Sequence, residues 1–149
     1  MSQELIIYLL SWAVFYTGYP MPDELPTIDV VKHEYFVSSV CAGIDTIQDP
    51  CGGRGMYNDK ESGRIYLNEK YIREIDAEAK GTIIHEMVHY LQDMSGDWED
   101  MEDWQAIIIC VERGVREREA YQAQAKYLED VHNIQAFNKY RRTYDRCER

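Results

Sequence analysis

The chain has 149 residues, 45% of them hydrophobic and 29% charged, with a formal net charge of −11 at pH 7. This length provides one hydrophobic core, hence a single domain, and the acidity excludes nucleic acid as a partner, because phosphate binding needs concentrated Lys and Arg. Basic peptides or proteins suit the charge better, although acidity also serves solubility alone.

Residues 5–16 form an apolar run broken by Ser11. It is too short for a bilayer span, which takes about 20 residues. Glu4 stands where a secretory signal carries a cation, and no Ala-x-Ala site follows. The run reads as a buried N-terminal helix with no stable membrane span. A cytoplasmic location is expected, with export or delivery to a host as the alternative.

Gly18, Pro20, Pro22 and Pro26 then break the chain into a rigid connection. Residues 27–31 are β-branched and short, which predicts a strand. Residues 33–42 predict a helix, with Phe36, Val37, Val40 and Cys41 at helical spacing before Gly43, and residues 49–53 a loop. A hairpin follows, with arms at 55–58 and 64–67 around the turn-rich 59–63. In its second arm Ile65 and Leu67 share a face opposite Tyr66, and Arg64 to Leu67 is expected to be an exposed edge strand.

Asp76 is suited to cap a helix over 77–95, with apolar Ile83, Ile84, Met87, Val88, Leu91 and Met94 and a stop at Gly96. Residues 97–103 pack five acids around Trp98 and Met101, read as a solvated loop or as a rim favouring basic substrates. Further helices are expected from about 104–131 and over 136–144. Trp12, Trp98 and Trp104 read as packing residues. Cys41, Cys51, Cys110 and Cys147 form no CxxC pair, so a cysteine-type structural zinc site is not expected. A Cys41–Cys51 disulfide and free thiols both remain open.

The chemistry lies in His85-Glu86-Met87-Val88-His89. On a helix, residues four apart share a face, so His85 and His89 bring two imidazole nitrogens to one zinc ion at the ~2.0–2.1 Å it requires. Glu86 is placed as general base, taking a proton from water activated by the ion. His33 and His132 lie outside the HExxHxxGxxH pattern, where Gln92 and Ser95 replace Gly and His. The third ligand must come from elsewhere.

Glu117-Arg118-Glu119-Ala120-Tyr121 resembles the gluzincin pattern, in which a second helix supplies a Glu within E-x-x-A. The resemblance implies Glu117 as third ligand. Cys110, Gly114, Glu117, Tyr121 and Gln124 share one stripe of such a helix, and Gly114 would let another helix come close. Glu119 lies on another stripe and stays open as the alternative. Tyr121 replaces the usual Asp or Asn. It is a candidate to hydrogen-bond a ligand histidine or to stabilise the oxyanion, against simple packing. Asp93, one turn beyond His89, is either a partner of that histidine or a solvated acid.

Residues 55–128 together resemble small metallopeptidase-like domains of bacteria and phages grouped with the minigluzincins. That resemblance implies an α+β zincin-like domain, a small sheet whose edge strand holds an extended peptide, and hydrolysis of a peptide bond through one zinc ion. The alternative is a zinc-binding regulatory or interaction module with little or no turnover.

Overall fold

The computed structural model of the chain describes residues 1–40, 53–58, 61, 63–96 and 106–136. Helix α1 (Gln3–Thr17) begins where the Ser2 side chain accepts from Leu5 N at 3.2 Å. It ends at Gly18, whose φ of +79° turns its N–H back to Val14 O at 2.8 Å, a left-handed cap that glycine adopts without strain. The expected burial of this helix holds for one face only. Leu9, Leu10 and Ala13 enter the core, while Ile7, Tyr8 and Phe15 are exposed, because α1 packs on the later helices from one side. Trp12 takes its expected packing role: its ring stacks on Tyr16 at 5.5 Å and meets Tyr127 edge-on at 6.1 Å. Among the described residues, no helix is long and apolar enough to cross a membrane.

Three strands, β1 (Thr27–Val31), β2 (Gly55–Asn58) and β3 (Arg64–Asn68), form a sheet in the order β1-β3-β2. The hairpin of β2 and β3 is antiparallel as expected, and β1 joins β3 in parallel, from Thr27↔Arg64 to Val31↔Asn68. This overturns the expectation that Arg64 to Leu67 is an exposed edge. β3 is the central strand, and among the described residues the edges are β1 and β2. Its alternation misleads because both faces are covered. Ile65 and Leu67 enter the main core, while Tyr66 is buried with Phe36 and Val40 on the opposite face.

Phe36 and Val40 lie in a π-helical turn (Phe36–Val40) that continues the short helix α2 (His33–Tyr35). The regular helix expected from residue 33 is therefore only one α turn before it widens. Its end lies outside the described residues. So do the loop 49–52, most of the turn 59–63, the acidic segment with Trp98, Trp104, residues 137–144, and the side chains of all four cysteines. Ala136 itself is not helical.

Helix α3 (Ala77–Met94) starts as predicted, with the Asp76 side chain accepting from Ala79 N at 2.8 Å, and stops at Gly96, φ +85°. Helix α4 (Ala106–His132) runs antiparallel to it: Gly81 meets Leu128, His85 meets Gln124, and Gln92 meets Arg116. A Cβ on Gly81 would lie 3.2 Å from Leu128 Cγ. Gly81, which the sequence does not single out, is thus a point of close helix approach, and Gly114 is buried within α4. We expect Gly81→Val to destabilise the fold by about 1–3 kcal/mol through overpacking, read as a lower urea midpoint at unchanged slope. Leu128→Ala in the same chain should recover part of the loss.

Candidate metal centre

Residues 81–92 of α3 are buried without exception, enclosed by α1, the sheet and α4. His85 and His89 stand one turn apart within this stretch, with ring centroids 5.0 Å apart. Glu117 of α4 faces both. Its Oε2 lies 3.0 Å from His85 Nε2, and its Oε1 lies 2.8 Å from His89 Nε2. One ligand atom from each of the three residues falls within 4.8 Å of the others.

The rest of each imidazole is engaged. His85 Nδ1 lies 3.1 Å from Gln124 Oε1, and His89 Nδ1 lies 2.9 Å from Gln92 Oε1. An amide oxygen only accepts, so both Nδ1 atoms carry a proton in either charge state of the ring. The Nε2 edges are thereby turned to Glu117. Glu119, the rival to Glu117, does not join the cluster: its Oε1 accepts from Gln92 Nε2 at 3.2 Å.

Glu86 is 7% exposed, and its Oε2 accepts from Tyr57 N of β2 at 2.8 Å. Burial pushes its carboxyl up from the ordinary range, opposed by the two histidines and by the Tyr57 amide. Glu117 is pulled the other way: burial alone would raise it, but His89 and His85 outweigh that and hold it well below the usual carboxylate range. Burial disfavours charge on His89, yet Glu117 and Glu86 overcome it and bring the imidazole to about 9.

Tyr121 reaches the site as a packing neighbour, its ring centroid 4.2 Å from that of His85 at an interplanar angle of 67°. The position that the gluzincin pattern gives to an orienting acid is thus filled by a ring. Gln124, one turn further along α4, orients His85 instead. Asp93 faces the sheet. It accepts from the Tyr57 hydroxyl, which itself accepts from Gly63 N at 3.1 Å. His33 and His132 stand apart, paired with Asn68 and Tyr127 at 3.0 Å each.

Sequence reasoning missed Gln92 and Tyr57. Gln92 could have been found as the next residue on the His89 face, three positions on. Tyr57 acts on Glu86 through its backbone N–H, which no side-chain pattern announces.

β2 is the edge strand beside the site. The bond from Asn68 N to Arg54 O, 2.8 Å, turns the Arg54 backbone toward β3. Alternation then turns Gly55 and Tyr57 outward. Gly55 permits this seating, since a Cβ there would lie 3.2 Å from Thr82 Cγ2 and 3.3 Å from Tyr66 O. Backbone on one side and α3 on the other leave little room to yield. Gly55→Val should push β2 off α3 and destabilise the protein by about 1–3 kcal/mol, checked by chemical denaturation. Glu86 should become more accessible, checked by carboxyl labelling.

No curated protein and no solved structure matches the chain. A family described as Domain of unknown function (DUF6647) matches residues 1–143, a span that contains His85, Glu86, His89 and Glu117. The chain belongs to that family.

Proposed function

We propose that the chain is a zincin-like, gluzincin-type metallopeptidase in which His85, His89 and Glu117 hold one zinc ion. The observation that carries this reading is the convergence of three ligand atoms within 4.8 Å of one another, on two helices packed in close contact. The donor set fits the ion, since zinc takes imidazole nitrogen and carboxylate oxygen and keeps a position open in catalytic sites. With both Nδ1 atoms spent on amide oxygens, the donors left are the two Nε2 atoms. When bound, zinc supplies Lewis acidity that polarises a carbonyl and acidifies water.

The protein groups divide the remaining work. Tyr57 N holds Glu86 Oε2, leaving Oε1 to take a proton from the attacking water and later hand it to the departing amine. Burial raises the basicity of this carboxylate. Tyr121, packed on His85, is the proposed hydroxyl donor to the oxyanion. An extended peptide adds to the outer edge of β2 through Gly55 and the Tyr57 carbonyl, the Tyr57 N–H being held by Glu86. The net charge of −11 favours a basic peptide.

Purified protein is expected to carry one zinc per chain by elemental analysis, lost in Glu117→Ala and His89→Ala. Glu86→Gln should keep the zinc and lower peptide hydrolysis by about 10²–10⁴-fold. Tyr121→Phe should lower kcat by about 10²–10³-fold with KM little changed. Burial of Glu86 at 7% exposure favours a second reading, a zinc-binding interaction module without turnover. That reading prevails if wild type and Glu86→Gln bind zinc equally and neither cleaves a library of basic peptides.

A further inference from the structure

Gln92 is 2% exposed, and its three polar contacts divide cleanly by type. Its Nε2 lies 3.1 Å from Arg116 O and 3.2 Å from Glu119 Oε1. Both partners are acceptors, so this end of the side chain must be the NH₂ group. Reversing the amide would set its oxygen against a carbonyl and a carboxylate. The oxygen therefore faces His89 Nδ1, 2.9 Å away. An oxygen there accepts from Nδ1–H and leaves Nε2 as the only ring nitrogen able to bind a metal.

We propose that Glu119 and Gln92 form a positioning relay that locks His89 into the metal-binding orientation. Glu119 is then not a spare ligand but the anchor that sets the polarity of the Gln92 amide from α4. The chain of contacts runs from the Glu119 carboxylate to the Gln92 NH₂, and from the Gln92 carbonyl to the His89 Nδ1–H. His89 is thus set by two helices at once, its ring carried on α3 and its orientation imposed through α4. The adjacent ligand Glu117 comes from that same segment of α4, so one stretch supplies both a ligand and the lock on its partner.

This inference rests on the zinc-site reading, and the test separates the two. Zinc affinity is measured by competition with a chromophoric chelator for wild type, Gln92→Leu, Glu119→Ala and Glu119→Gln. In parallel, ¹⁵N-histidine NMR of the cadmium-loaded protein follows the His89 Nδ1–H resonance and its protection from solvent exchange. Gln92→Leu should bind zinc about 10–100-fold more weakly and lose the protected resonance. Glu119→Ala should weaken binding in the same direction by less, because Arg116 O still holds the amide, and Glu119→Gln, which keeps an acceptor oxygen, should restore wild-type affinity. Glu119→Ala alters a side chain at the edge of the site, so it remains informative if Gln92→Leu fails to fold. Zinc binding unchanged in both Glu119→Ala and folded Gln92→Leu, with the Nδ1–H still protected, overturns the relay alone. A wild-type protein that binds no stoichiometric zinc or cadmium overturns the relay together with the zinc site.

Discussion

The contact between α3 and α4 at Gly81 and Leu128 is the constraint on which the site depends. Helices pack at 8–10 Å between axes, a distance set by the side chains at the contact. Gly81 contributes none, and Leu128 settles against its backbone. One turn further along α3, and one turn back along α4, His85 and Gln124 come within hydrogen-bond distance. Further along, the short side chain of Glu117 spans the gap to both imidazoles. A larger residue at 81 would force the two helices apart about two turns from the carboxylate.

Enclosing two imidazoles and two carboxylates in a core is unfavourable unless each polar atom has a partner. The structure answers this cost with neutral groups as well as charged ones. Two glutamine amides take the outer nitrogens of the histidines, a sheet-edge amide takes Glu86, and Glu117 faces the inner nitrogens. The opposite displacements of Glu117 and His89 from their ordinary ranges express one pairing seen from its two ends. Truncating one member of such a pair leaves the other charged and buried, which costs more than the pair itself contributes.

The sheet serves the site through its edge rather than its centre. β3 is buried on both faces and paired on both sides, so it holds the hairpin in place without presenting an edge. β2, an edge strand among the described residues, reaches α3 through Tyr57: its amide binds Glu86, and its hydroxyl binds Asp93 seven positions on. Seven residues are close to two helical turns, so one tyrosine lies along the face of α3 and ties the strand to it.

Local chemistry in the sequence determined the elements: the Asp76 cap and Gly96 stop of α3, the hairpin, the first strand, and the helical spacing that puts His85 and His89 on one face. It also placed Glu117 and Gln124 on a common stripe, because a 3.6-residue period needs no knowledge of the rest of the chain. Only the tertiary structure decided which strand lies at the edge, since β1 pairs with β3 from more than 30 positions away. It also separated Glu117 from Glu119: both lie on α4 near α3, and their roles follow from the register of the two helices rather than from their own neighbours. The same holds for Gln92, Tyr57 and Gly81. Their roles rest on an amide orientation, a backbone N–H and a missing Cβ, which acquire meaning only when another segment is packed against them.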